Sequence, residues 1–144
     1  PLGNPDLVAV AKRAPDCVIC LISALSFHEL TTQIPHEVYM ALARGKARPR
    51  IEYPPIRVFW FSGNAFSEGI EIHDIDGAEV GIYSPAKTVA DCFKYRNKLG
   101  LDVAMEALRD GWRARRFTMD GLWEAARVCR VQRIMQPYVE MLVQ

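Results

Sequence analysis

In the stretch from Leu21 to Leu30 the apolar residues Ile22, Leu25 and Leu30 fall on one face of a helical wheel, which predicts a helix over 21–30. Ahead of it, Asn4 stands where a cap is needed, Pro5 and Asp6 suit a first turn, and Pro15 blocks continuation. A first helix is therefore expected to run through Asp6 to Ala14. The period then changes. Val38, Met40 and Leu42 alternate with Glu37, Tyr39 and Ala41, the signature of a half-buried strand near 36–42. Arg44, Lys46, Arg48 and Arg50 follow at every second position among Gly45, Pro49, Pro54 and Pro55, which reads as a basic loop.

Residues 56–62, IRVFWFS, read as another strand, with Phe59 and Trp60 on opposite faces, so one of these aromatics is expected outside the main core. Ile70 and Ile72 face one way, Val80 and Ile82 return on the far arm, and Asp76-Gly77 lies between them. This predicts a hairpin with strands near 69–74 and 78–83. Ser84 then suits an N-cap, Pro85 the first helical position, and Ala86, Val89, Ala90 and Phe93 recur at helical spacing. Three more helical patterns follow. Residues 101–115 carry Leu101, Ala104, Leu108 and Trp112 on one face; 118–130 is capped by Thr118; 131–143 carries Ile134, Met135, Tyr138 and Leu142, with Pro137 predicting a kink or a boundary. This order defines an α+β fold: a mainly antiparallel or mixed sheet of about four strands covered by helices, with a helical C-terminal half.

A chain of 144 residues, half of them hydrophobic, is long enough to bury one core, and a single domain over 1–144 is expected. The tripeptide Pro1-Leu2-Gly3 matches the remnant of a cleaved expression tag. Eighteen basic residues against 17 acidic ones leave a net charge of +1, so any basic surface must be local. The longest apolar run, Cys17 to Leu25, is well short of the roughly 20 residues a spanning helix needs, and no secretory leader opens the chain. A cytoplasmic protein is expected, without membrane contact and with Cys17, Cys20, Cys92 and Cys129 as thiols. Cys17 and Cys20 form a C-x-x-C, but Val18, Ile19, Leu21 and Ile22 surround it and no second ligand pair is near, so both read as buried structural residues.

Catalytic chemistry finds little purchase. No phosphate-binding glycine loop is present, and Ser23, Ser26, Ser62, Ser67 and Ser84 all lack a nucleophile's frame. No catalytic residue, metal ligand or cofactor is assigned. Only Glu71, His73 and Asp74 crowd together, with Asp76 next; in a strand Glu71 and His73 share a face that Asp74 does not. A nuclease-related enzyme using this hairpin, with Glu52 or Glu68 added, is the alternative to a binding role. For binding, the candidates are Arg44, Lys46, Arg48 and Arg50 together with Lys87, Lys94, Arg96 and Lys98, as a surface for nucleic acid or a partner. Arg113, Arg115 and Arg116 form a third basic group, and Arg127, Arg130 and Arg133 a fourth. Tyr95 and Trp112 each close an amphipathic face and read as packing.

At VICLISALSFHELTTQIPHEVYMAL and IYSPAKTVADCFKYRNKLGLDVAMEAL the chain resembles the C-terminal region of AbiEi-type antitoxins, the transcriptional-regulator half of type IV toxin-antitoxin systems. The marks are Leu25, His28 and Leu30 before the strand near 36–42, and Ser84-Pro85-Ala86-Lys87-Thr88 through Asp91 at a helix start. The resemblance implies a non-enzymatic bacterial domain that counteracts a nucleotidyltransferase-like toxin, without requiring a stable complex with it. It also implies that a full-length protein would carry an N-terminal winged helix-turn-helix, contact operator DNA and repress its own operon. By the same resemblance, 1–144 is expected to be the C-terminal domain, without that segment. The sequence leaves direct toxin contact and homodimer formation open.

Overall fold

The computed structural model describes residues 2–144; Pro1, the first residue of the tag-like tripeptide, lies outside the described residues. In chain order the elements are α1 (Asn4–Arg13), β1 (Val18–Ile19), α2 (Leu21–Phe27), β2 (Val38–Ala43), β3 (Ile56–Phe61), α3 (Asn64–Ser67), β4 (Ile70–Ile75), β5 (Ala78–Tyr83), α4 (Pro85–Lys94), α5 (Arg96–Leu99), α6 (Leu101–Arg113), α7 (Met119–Cys129) and α8 (Gln132–Leu142). The fold is α+β, with a five-stranded mixed sheet in the order β3-β2-β1-β5-β4 and a helical C-terminal part. The strand missed in the expected set of about four is β1, two residues long and central. Ile19 pairs antiparallel with Met40 of β2 and parallel with Ile82 of β5.

The sheet is covered on both faces, because alternate residues of each strand feed two different cores. On one face, Leu7, Val10 and Ala14 in and after α1 pack on Ile19, Met40, Leu42, Val80 and Ile82. On the other, Val18, Tyr39, Ala41, Phe59, Phe61 and Tyr83 lie under Val89 and Phe93 of α4, Leu108 of α6 and Leu122 of α7. This corrects the expectation of a half-buried β2: five of its six residues are buried, including Tyr39 and Ala41 on the face assigned to solvent. The alternation itself is kept, but both sides find a cover. β3 behaves as expected, with Phe59 buried and Trp60 41 % exposed. Trp60 Nε1 donates to the Lys46 carbonyl at 2.8 Å, which fixes the basic loop to the sheet edge.

Two helix starts follow the rules of the sequence and one departs from them. Ser84 Oγ accepts the Lys87 amide at 3.2 Å, and Thr118 Oγ1 accepts that of Gly121 at 3.0 Å. For α1, Gly3 takes the cap position and Asn4 is already helical, while Asp6 accepts the Gly3 amide at 2.8 Å. Pro137 lies inside α8. The hairpin turns at Asp76 and Gly77, both with positive φ (52° and 84°), the geometry of a type I′ connection.

Candidate functional site

β1 stops after two residues, and α2 continues its line between β2 and β5. A helix cannot pair with a strand backbone, so side chains of α2 do so. Ser23 Oγ accepts the Tyr39 amide at 2.8 Å and approaches the Glu37 carbonyl at 3.4 Å, replacing strand partners for β2. On the other flank His28 Nε2 lies 2.8 Å from the Tyr83 carbonyl of β5, which Thr88 Oγ1 also approaches at 3.3 Å. The carbonyl can only accept, so His28 carries its proton on Nε2. Its Nδ1 faces Arg116 at 3.3 Å and must therefore be the unprotonated acceptor. Burial, with Arg116 and His73 adding to it, lowers the pKa of His28 from its ordinary value against the opposing pull of the Tyr83 carbonyl and Glu71. Residues 18–42 and 82–108 thus meet at Tyr83, with His28 from one stretch and Thr88 from the other on the same oxygen.

Within α4, Lys87 and Asp91 form an ion pair one turn apart, each side chain only 2 % exposed. Lys87 Nζ also lies over the Tyr83 ring, 4.0 Å from its centre, and Cys129 Sγ donates to Asp91 Oδ1 at 3.2 Å. Burial pushes the Asp91 carboxyl up, opposed by Lys87. Lys87 was expected on a basic surface. It is instead a core residue whose charge is consumed by Asp91, so it contributes nothing to a binding face.

The acidic hairpin brings two of its three candidates together. His73 Nε2 lies 2.8 Å from Glu71 Oε1, and both line a shallow cleft with Phe27, His28, Pro85 and Arg116. Asp74 is on the opposite strand face and accepts the Gly77 amide at 2.8 Å, as a turn residue does. Among the described residues no group of three or more His, Cys, Asp or Glu side chains is placed to hold a metal ion. Cys17 and Cys20 are buried and unbridged; burial pushes the Cys17 thiol up to about 12 and that of Cys20 well above its ordinary value, which makes both poor nucleophiles.

The basic groups separate. Lys46 approaches Asp16 at 3.6 Å, Arg48 donates to the Ile56 carbonyl at 3.3 Å, and Arg96 donates to that of Phe93 at 3.0 Å, while Arg50 stands exposed on the loop. What does converge lies along β3, an edge strand. Arg57, which the sequence reading passed over, sits 5.2 Å from the Phe59 ring centre and Lys98 sits 5.8 Å from it. Tyr95 meets the same Phe59 edge-on and stacks on Phe61, burial raises its hydroxyl pKa, and the Arg44 amide donates to the Phe61 carbonyl at 2.9 Å, which puts Arg44 at the same edge. Tyr95 is therefore packing, as expected, but packing with a cationic rim. The signal for Arg57 was present: strand alternation puts an arginine on the face of Phe59 and Phe61. Beyond Phe61 and Tyr95 the edge continues into a recess of about 500 Å³ lined by Ser62, Asn64, Lys94, Arg127 and Arg130. Arg127 is paired there with Glu124.

No protein-family model matches the chain, and no curated protein matches it. Among the described residues no helix is long and apolar enough to cross a membrane.

Proposed function

We propose that this chain is the antitoxin domain of a bacterial type IV toxin-antitoxin system and acts by binding, through the basic edge formed by Arg44, Arg57, Lys94 and Lys98. In the full-length protein it would contribute to autorepression alongside a winged helix-turn-helix that contacts operator DNA. The observation that carries the reading is the direction of the polar groups. Ser23, His28, Lys87, Thr88 and Asp91, which belong to the two antitoxin-like stretches, are buried and hold α2, β5 and α4 together. The cations of the β3 edge, by contrast, face outward or half-outward, clear of the core. Growth rescue tests this: the chain is co-expressed with the nucleotidyltransferase-like toxin encoded beside it. Rescue by the wild type, lost in Lys94→Glu/Lys98→Glu with unchanged thermal unfolding and kept in Glu71→Ala/His73→Ala, supports the reading. No rescue by either this chain or its full-length parent overturns it.

The row of cations Arg44, Arg57, Lys94 and Lys98 along one edge favours the phosphate backbone of a nucleic acid as its ligand, with Phe59 buried beneath Arg57 and Lys98 as their support. Affinity for a labelled duplex should then fall with salt at a slope of about −0.9 per phosphate contacted. A salt-independent affinity would point to a protein ligand.

A further inference from the structure

A second surface lies on the helical half and owes nothing to the β3 edge. Between α6 and α8, Met105, Leu108, Tyr138 and Leu142 floor a recess of about 320 Å³, with Met141 67 % exposed at its rim. Next to it, Trp112, Phe117 and Met119 floor a larger one of about 820 Å³. Trp112 and Arg113 line both, so the two recesses form one groove. Its floor is built into the fold. Phe117 folds back against Gly111, where an added Cβ would collide with the ring, and α6 ends in a Schellman turn: Arg116 N–H donates to the Gly111 carbonyl at 2.9 Å and Arg115 N–H to that of Trp112 at 3.1 Å.

The rim has one sign. Arg109, Arg113, Arg115 and Arg116 line the groove and no acidic residue does. Among the described residues, none of these arginines takes part in an ion pair. Tryptophan, methionine and arginine over an apolar floor are the composition of protein interfaces. A second copy of this chain would bring its own Arg109, Arg113 and Arg115 against these three, which opposes self-association here; the Arg116 guanidinium is turned to His28. Nucleic acid would want cations on the floor, whereas this floor is thioether, leucine and aromatic.

We propose that this groove docks an acidic amphipathic helix of a partner protein, its apolar residues at i, i+3 or i+4 and i+7 seated on Met105, Trp112 and Phe117 and its carboxylates on Arg109, Arg113 and Arg115. A helix suits the site because the groove starts between α6 and α8 and continues along α6 to the turn that precedes α7, an elongated apolar track flanked by helices. This role is independent of the antitoxin reading and survives its failure.

The test is a selection from a fully randomised phage-displayed library of peptides about 16 residues long, four to five helical turns, on the immobilised chain. The winning peptide is then synthesised with a fluorescent label. Expected winners carry Asp or Glu flanking a helical apolar stripe, shift the Trp112 indole N–H resonance, and bind about tenfold or more weakly to Arg113→Glu/Arg115→Glu, whose thermal unfolding is unchanged. Reversing the peptide's acids to arginine should restore part of the affinity to that variant. The proposal is overturned by failure to enrich any peptide, by winners without acids, or by equal affinity for wild type and variant. It is equally overturned if an oligonucleotide shifts the Trp112 resonance and the peptide cannot displace it.

Discussion

Lys87 Nζ lies 2.9 and 2.8 Å from the two carboxylate oxygens of Asp91, with both side chains sealed from water beneath Tyr83 and Phe61. Two charges so placed were costly to desolvate, and what makes them tolerable is each other. Removing one partner is therefore much worse than removing both. Lys87→Met should cost about 3–5 kcal/mol, whereas Lys87→Met/Asp91→Leu should recover most of it. Urea unfolding of the two singles and the double measures the coupling; a near-neutral Lys87→Met would mean the pair does not form.

The same variant makes a signed pH prediction. Burial already raises the Asp91 carboxyl, and Lys87 is its chief opponent. In Lys87→Met only the Cys129 hydrogen bond and the more distant Lys94 still oppose burial, so the folded-state pKa moves further above its unfolded value. A carboxyl raised in this way favours the folded state at low pH and loses that contribution as pH rises through its folded pKa. The deficit of Lys87→Met relative to wild type should thus shrink between pH 7 and pH 5. A deficit independent of pH would show that Asp91 does not titrate in the variant.

His28 predicts the opposite trend in the wild type. Its folded-state pKa is lowered from the ordinary value near 6.5, while the unfolded chain keeps that value. The groups facing it are Glu71 and His73 from β4, Arg116 after α6, and the Tyr83 carbonyl of β5. The stability it confers is complete above the unfolded pKa and is lost as pH falls through the folded one. Wild type should lose stability on acidification from about pH 6.5, and His28→Gln, less stable at pH 7.5, should lose less over the same range. Parallel curves for the two proteins would exclude His28 as the titrating group.

Three helices end on a non-glycine residue with left-handed backbone: Glu29 (φ 60°), Arg115 (φ 56°) and Arg130 (φ 59°). After α2 the Leu30 amide donates to the Leu25 carbonyl at 2.8 Å and Glu29 to Ser26 at 3.1 Å, a Schellman turn whose apolar pair is Leu25 and Leu30, both buried. Glu29 pays the left-handed penalty of about 1–2 kcal/mol, less the greater chain entropy that glycine loses on folding. Glu29→Gly should raise stability by up to about 1 kcal/mol, a shift upward in thermal midpoint. A lower midpoint would show that the Glu29 side chain stabilises the turn.

That turn also explains what was and was not legible in the sequence. Leu25 and Leu30 were placed on one helical face and the helix drawn to 30, but it stops at Phe27, because the chain closes with no glycine to announce it. β1 was hidden inside an apolar run that also begins a helix. The hairpin was readable because Asp76-Gly77 is the turn's own chemistry. Basic residue types were visible along the chain, yet their convergence was not, since Arg57 and Lys98 come together only because Lys98, much further along the chain, reaches over Phe59 of β3. Lys87 carried a local warning, an acid one turn on at Asp91, and the structure buries the helix around the two.

Gly69 and Gly77 separate backbone strain from crowding. Their φ values are nearly the same, +81° and +84°, so an alanine at either meets the same left-handed penalty. Around Gly77 nothing lies within 4 Å of an added Cβ, whereas at Gly69 that atom would stand 2.7 Å from Lys87 Cβ and 2.8 Å from its Cγ. Lys87 cannot yield freely, because Asp91 and the Tyr83 ring hold its far end, and the Gly69 carbonyl itself accepts the Ser84 amide at 2.8 Å. Gly77→Ala should cost about 1–2 kcal/mol, and Gly69→Ala should exceed it by about 1–3 kcal/mol, the usual penalty of overpacking. Paired denaturant titrations give the difference directly. Equal costs would mean that α4 shifts away from the strand without loss, and with it that the Lys87–Asp91 pair tolerates more movement than its geometry implies.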